Sequence, residues 1–444
     1  MNYMTKNNLM TVKYIDLFAG LGGTRIGLEQ ALKENGFLGE CVFTSEIKPH
    51  AVKVYEDNFK GEEVSGDITQ IDAKDIPDFD FLLAGFPCQP FSSAGVRRGF
   101  MDTRGTLFFD IERILKEKRP RAFLLENVEG LVLHDRVDRS RPIGRTLETI
   151  INHLENLGYE VNWKVLDASE YGVPQKRKRI YITGSLSAKT DLNDLNKNSS
   201  KLANVLEKNL PQSAYLNDSV LVKKLLEHYS VDQMKGKQIK DKRGGANNIH
   251  SWDVELKGPV SEEQKALLDE MLKQRRRKSW SLSKQIPWSD GMPLTLEEIA
   301  TFHTQTLFEH KMSDKKYLVH LKSILDDLVK KKYLTFEIPK KTTPEYQVKG
   351  YNIVVGKLSF EISNILDPEH VTPTLVATDV TRMAVADKKG LRRMTVREGL
   401  RLFGFPESYE IDGLSYTKTF DLLGNSVSVN AVQIVCDRII KAAF

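Results

Sequence analysis

Phe79-Asp80-Phe81-Leu82-Leu83-Ala84-Gly85-Phe86-Pro87-Cys88-Gln89-Pro90-Phe91-Ser92 is the stretch from which the rest of the chain is read. The mainly apolar run from Phe79 to Ala84 predicts a buried strand. It runs into a Gly/Pro/Ser loop that carries Cys88. Open α/β sheets place their ligands beyond the carboxyl ends of their strands, and a thiol held there serves as a nucleophile. A small buried apolar side chain, the usual fate of a free cysteine, fits the same stretch. Its neighbours along the chain decide between the two.

Upstream, Tyr14-Ile15-Asp16-Leu17-Phe18 reads as a short strand. Ala19-Gly20-Leu21-Gly22-Gly23 follows it, then a helical pattern with apolar Ile26, Leu28, Ala31 and Leu32. Strand, glycine loop and helix form the phosphate- or nucleoside-binding opening of an α/β domain. The spacing departs from GxGxxG, which favours a nucleoside cofactor without a pyrophosphate over a dinucleotide. A tight turn with no ligand is the bland alternative. A second strand, Cys41 to Ser45, ends in Glu46. An acidic residue about twenty positions beyond such a loop accepts hydrogen bonds from ribose hydroxyls. After a helix over 50–58, Asp67 suits an adenine amino group and Ile68 its ring.

Downstream, the polar segment from Gly95 to Gly105 carries Arg97, Arg98 and Arg104, with glycines at both ends that would let it swing as a lid. A helix follows over 107–118, with Ile111, Ile114 and Leu115 on one face. The apolar strand Ala122-Phe123-Leu124-Leu125 delivers Glu126-Asn127-Val128, a further polar group at a strand end. Gln175-Lys176-Arg177-Lys178-Arg179 leads into Ile180-Tyr181-Ile182, and alternation places Arg177 and Arg179 on one side. Paired arginines there suit phosphate or carboxylate contacts; a solvated basic face is the simpler reading. Near the end, Thr395 caps a helix through Leu402. Gly424-Asn425-Ser426-Val427 opens a final apolar helix over 429–440.

The chain of 444 residues is long enough for two or three domains, and its 28% charged content is that of a soluble globular protein. It contains no run long enough to span a membrane. The three cysteines, Cys41, Cys88 and Cys436, form no CxxC pair, which argues against a metal site or a disulfide framework and fits a reducing cytoplasm. The net charge of +5 is only mildly basic, so the distribution of charge matters more than the sum. Composition shifts after Ser185. We expect an α/β catalytic domain over 1–185, a smaller irregular domain with its linker over 186–390, and a return segment over 391–444. The middle section holds Trp252, Trp280 and Trp288 and the basic clusters 235–243, 275–278 and 330–332. Basic groups interleaved with aromatics and with Asn247, Asn248 and His250 fit nucleic-acid reading. Solvated helix faces are the bland alternative, preferred for 330–332.

Five blocks now stand in a fixed order: Asp16–Gly23, Gly85–Ser92, Glu126-Asn127-Val128, Gln175–Arg179 and Gly424–Val427. Together they resemble the ordered motifs of DNA (cytosine-5) methyltransferases, most closely the modification enzymes of bacterial type II restriction–modification systems. The likeness spans roughly 13–184 and 371–444; the middle section lies where that family keeps its variable target-recognition region. The resemblance implies a Rossmann-like fold with S-adenosyl-L-methionine as cofactor, duplex DNA as substrate and a target base flipped out of the helix. It implies that Cys88 adds to C6, that Glu126 contacts N3 and the exocyclic amine, that Arg179 holds O2 and orients Glu126, and that Arg177 sits nearer the DNA backbone. It places Phe18, Gly20, Gly22, Gly23, Glu46, Asp67, Ile68, Pro87, Leu107, Asn425 and Val427 around the cofactor. DNA contacts are expected from Ser92, Arg97, Arg98, Arg177 and Thr374, and in the middle section from Arg275, Arg276, Asn248 and His250. The family often has Trp after the ribose glutamate, where this chain has Ile47. The likeness further implies a monomer in the bacterial cytoplasm or nucleoid, with a restriction endonuclease as genetic rather than physical partner.

Two rivals remain. An RNA methyltransferase of the same fold acting on tRNA is disfavoured by the long basic middle section. A silent DNA-binding regulator is disfavoured by the retention of Cys88, Glu126 and Arg179.

Overall fold

β1 (Thr11–Leu17) and β4 (Phe81–Ala84) lie side by side and parallel, with Leu17 opposite Ala84. The glycine loop and the Cys88 loop therefore leave the sheet from neighbouring strand ends. The remaining strands are β2 (Leu38–Ser45), β3 (Val64–Ser65), β5 (Ala122–Val128), β6 (Glu160–Asp167) and β7 (Lys178–Ser185), in the order β3-β2-β1-β4-β5-β7-β6. β7 runs antiparallel to β5 and β6, whereas β1 to β5 pair in parallel. Strand order reverses direction between β1 and β4, and such switch points are where α/β sheets hold ligands.

The computed structural model describes residues 9–86, 107–242, 244–286, 291–303, 313–339, 347–354 and 360–444. Helices α1 (Gly23–Glu34), α2 (Pro49–Asn58), α3 (Leu107–Lys118) and α4 (Arg145–Asn156) connect the strands. Alternation along the strands assigns each face its own core. Ile15, Leu17, Leu82, Phe123 and Leu125 pack with Phe108, Ile111 and Ile114 of α3 and Ile150 of α4. Tyr14, Phe81, Leu83 and Leu124 pack with Leu28 and Leu32 of α1 and with Val432, Val435 and Ile439 of the final helix, Val429–Ala443. That helix lies so close to α1 that a Cβ at Gly27 would sit 2.6 Å from Val432 Cγ1, a contact only glycine allows.

Two units divide the chain. The first gathers residues up to Asn209, Pro368–Thr381 and Met394–Phe444. Residues 186–209 belong to it despite their polar composition, because Leu192 and Leu195 are buried beside Tyr171 and Tyr181. The second holds Leu210–Asp367 and Arg382–Arg393. Within it five short strands form one sheet, in the order Gly390–Arg392, Met383–Asp387, Asn364–Leu366, Gln238–Ile239, Asn248–Ile249. A separate apolar cluster joins Trp252 to the helices Glu262–Gln274 and Asp314–Lys330 and to the hairpin of Leu334–Glu337 with Gly350–Ile353.

Candidate active site

The chain leaves β1 through three left-handed residues, Phe18 (φ 56°), Gly20 (φ 56°) and Gly22 (φ 70°). Gly22 donates to the Ala19 carbonyl at 2.8 Å, closing the turn. A Cβ on Gly22 would lie 2.5 Å from the Phe59 ring, so both conformation and space require glycine. Glu46, just past β2, fixes this turn from one side. Its Oε2 accepts from the Gly20 amide at 2.9 Å, and its Oε1 accepts from the amides of Ile47 and Lys48 at 2.9 and 2.8 Å. Exposed Asp67 accepts from the amide and hydroxyl of Thr69 at 3.0 and 2.8 Å, while Ile68 is buried. Val427 and Ser426 close on Gly23 from the C-terminal segment, 2.9 and 3.3 Å from where a Cβ would stand.

The expected cofactor residues Phe18, Gly20, Gly22, Gly23, Glu46, Asp67, Ile68 and Val427 thus gather around the carboxyl ends of β1, β2 and β3. Asn425 is exposed and donates its amide to Asp421 of its own helix at 2.7 Å. Leu107 is half-buried at the start of α3, where the next residue, Phe108, has its ring 6.4 Å from that of Phe86.

Asp16 was passed over as a functional residue, although a charge inside an apolar strand is itself a signal. Its carboxyl is fully buried and accepts from Thr24 Oγ1 at 2.9 Å, and among the described residues no partner meets its Oδ2. Burial pushes its pKa up to about 7, opposed by the Thr24 hydrogen bond and the Arg25 charge.

At the end of β5, Glu126 shares a sheet face with Arg179 of β7, because Val128 opposes Arg179 and Glu126 opposes Tyr181. Both side chains are largely buried, with Arg179 Nε 3.0 Å from Glu126 Oε1. Burial pushes the Glu126 carboxyl above the ordinary glutamate range, and the charges of Arg179 and Arg177 pull it back. The ion pair is close but off-line for a hydrogen bond: among the described residues no donor is aimed at Oε1. Oε2 faces Gly85, 3.7 Å from where a Cβ would stand. Asn127 donates to the Phe86 carbonyl at 3.2 Å and so ties the end of β5 to the root of the Cys88 loop. Pro87, Cys88, Ser92, Arg97, Arg98 and the rest of the expected lid lie outside the described residues.

Arg177 requires correction. β7 begins at Lys178, so strand alternation does not extend to Arg177. Its side chain is 2% exposed, over the Phe403 ring at 5.0 Å, and donates to the carbonyls of Gly424 and Ser426. A guanidinium buried against backbone carbonyls braces the Gly424–Val427 segment from beneath. Thr374 donates its hydroxyl to the Lys176 carbonyl at 2.5 Å. The amide of Gln175 bridges that segment, donating to Leu402 O and accepting from Leu375 N.

The second unit corrects two more expectations. Arg275 is 5% exposed and lies on the backbone of Gly291, where a Cβ would stand 1.9 Å from its Nη2. It follows the helix Glu262–Gln274 as its C-cap and turns inward, so it does not face solvent as a phosphate contact would. His250 is buried, stacked on Trp252 at 4.6 Å and 3°, with Nδ1 3.1 Å from Asp253. Trp252 is wholly buried and approaches Asp269 at 3.3 Å. These two rings are packed within the second unit. Arg276 and Asn248 are half-buried, and Arg277 and Asn247 are exposed.

The sequence profile described as C-5 cytosine-specific DNA methylase matches residues 12–441. The chain is 52% identical over 438 residues to the type II methyltransferase M.NlaIV of Neisseria lactamica, covering 97% of this chain and 99% of that one. It is 40% identical over 456 residues to the type II methyltransferase M.BanI of Aneurinibacillus aneurinilyticus, covering 97% and 96%. Among solved structures, the Entamoeba histolytica methyltransferase EhMeth superposes with a TM-score of 0.52 at 17% identity, covering 97% of this chain and 98% of that one, a likeness of fold.

Proposed function

Because the chain belongs to the C-5 cytosine-specific DNA methylase family, we propose that it methylates C5 of a flipped-out cytosine within a specific sequence of duplex DNA, with Cys88 as covalent nucleophile, and so protects DNA in a restriction–modification system. The enzyme is a DNA (cytosine-5) methyltransferase; cofactor placement, chemical steps and biological role are the proposal. The observation that carries the mechanism is the buried Glu126–Arg179 pair, Nε 3.0 Å from Oε1, with no donor in line with Oε1 among the described residues. A carboxyl held this way suits the N3 and exocyclic amine edge of cytosine, and its raised pKa suits sharing a proton with N3.

The glycine turn fits S-adenosylmethionine. Among the described residues a Cβ at Gly66 would meet nothing within 4 Å, and one at Gly20 would meet only the Phe18 carbonyl at 3.9 Å, so neither glycine is crowded. Phe18 and Ile68 would hold the adenine, Glu46 the ribose hydroxyls and Asp67 the adenine amine. When bound, the cofactor supplies an electrophilic methyl sulfonium.

The Cys88 thiolate adds to C6, and electrons move into the ring toward N3 and O2. Glu126 at N3 and Arg179 at O2 stabilise that charge. C5, now enamine-like, would attack the methyl carbon of the bound cofactor, with the methyl–sulfur bond breaking and the sulfur leaving as a neutral thioether. A base then removes the C5 proton, the C5–C6 double bond re-forms and the thiolate leaves.

The test uses duplex DNA carrying 5-fluorocytosine, which blocks the final proton removal. Wild-type protein is expected to form a denaturant-stable complex with this DNA in the presence of S-adenosylmethionine. Cys88→Ala is expected to form none and to lose methyl transfer, while binding the cofactor normally. Trapping by Cys88→Ala would refute the assignment.

A further inference from the structure

We propose that Tyr409 is a positioning residue of the cofactor site: its hydroxyl, through the Leu21 carbonyl, sets the conformation of the Ala19–Gly23 turn. This rests on the reading that the turn receives S-adenosylmethionine. Tyr409 Oη donates to Leu21 O at 2.7 Å, and the tyrosine is 3% exposed. Burial pushes the phenol far above its ordinary pKa, which keeps it a neutral donor. The turn is therefore held at two peptides, by Glu46 at the Gly20 amide and by Tyr409 at the Leu21 carbonyl.

The grip is pre-organised. Asn58 Nδ2 donates to the Glu410 carbonyl at 2.8 Å, and Asn58 Oδ1 accepts from the Glu410 amide at 2.9 Å. The end of α2 thereby holds the backbone next to Tyr409 at both polar groups. The Tyr409 ring rests on Phe405 (4.7 Å) and meets Phe59 edge-on (6.4 Å), and Phe59 is the ring that seats Gly22. Loss of the hydroxyl would leave the Leu21 carbonyl without this donor in the turn.

Tyr409→Phe removes one oxygen and keeps the ring, so the packing with Phe405 and Phe59 is retained. For this variant we expect the Kd for S-adenosylmethionine to rise about 3- to 10-fold, the value of one net hydrogen bond. KM for the cofactor should rise equally, with kcat at saturating cofactor and KM for DNA unchanged. Amide exchange in the peptide spanning 19–23 should quicken in the cofactor-free protein. A merely structural role would lower the melting temperature without this split. Glu46→Ala is the companion variant, because Glu46 is expected to touch the ribose directly. If Glu46→Ala weakens cofactor binding and Tyr409→Phe does not, the positioning role is overturned. Faster exchange at 19–23 with unchanged affinity overturns it equally. If both variants bind the cofactor as wild type does, the reading of the turn as the cofactor site fails first, and the role of Tyr409 with it.

Discussion

Replacing Arg179 with methionine isolates the electrostatics of the catalytic pair. The two charges lie 3.0 Å apart, both largely buried. At an effective dielectric of about 20, their attraction is about 5.5 kcal/mol. Removing one member of a buried pair costs about 3–5 kcal/mol, because the other charge is stranded. Protonation caps that cost. Glu126 can escape its stranded charge by binding a proton, at about 1.36 kcal/mol for each pH unit above its ordinary pKa of 4.5. The ceiling is therefore about 4.8 kcal/mol at pH 8 and about 2.0 kcal/mol at pH 6. The sign follows from the upward displacement. A carboxyl whose pKa is raised by folding loses stability as pH rises from its unfolded value through its folded one, and loss of Arg179 deepens that loss. Urea unfolding of Arg179→Met beside wild type at pH 6, 7 and 8 measures it. The deficit should widen with pH, staying below about 4.8 kcal/mol at pH 8 and below about 2 kcal/mol at pH 6, because wild type already carries part of that penalty in its own raised carboxyl. A deficit equal at the two ends, or larger at pH 6, would refute the description of Glu126 as an ionisable group held by Arg179.

Gly22→Ala should destabilise the first unit by about 1–3 kcal/mol and weaken cofactor binding, since the new methyl meets the Phe59 ring in a left-handed residue; thermal melting and calorimetry check it. Neutralising Arg276 and Arg277 to glutamine should weaken DNA binding to all sequences and reduce the salt slope by about 1–2. Arg275→Gln should instead lower stability, as a buried cation is lost. Trp252→Ala should cost about 3–5 kcal/mol of stability, and bisulfite profiling of the surviving protein should return the same methylated sequence, whereas Asn247 and Asn248 variants should change it if those amides read bases.

The first unit was legible because its chemistry sits where strand periodicity ends. The helix over 107–118, Glu46 at the end of β2 and Glu126 near the end of β5 stand where apolar runs and turn residues place them. Alternation put Arg177 and Arg179 on one side, but the strand pattern reaches only the second of them; the pairing of Glu126 with Arg179 came from the family resemblance. Nothing local marks that β7 starts at Lys178, and the partners of Arg177 are carbonyls more than two hundred residues away. The middle section was less legible for a related reason. Composition shows that basic and aromatic residues are abundant there, not which of them face inward. Arg275 and His250 are long-range packing decisions, made by Gly291 and by the stacking of His250 on a buried tryptophan. Asp16 left a trace that periodicity alone gives: a charge where the strand pattern calls for an apolar side chain.

The packing of the final helix on α1 also has a consequence for the order of synthesis. β7 ends at Ser185 and the final helix begins at Val429, 244 positions later (429 − 185). At about 5–20 residues per second, a ribosome needs roughly 12–50 s to cross that interval. During that time the nascent chain already carries Cys88, Glu126, Arg179 and Glu46. It still lacks Val432 against Gly27, Val427 against Gly23 and Tyr409 at Leu21. The glycine turn, already held by Glu46 and Phe59, acquires its C-terminal supports only after the second unit has been made.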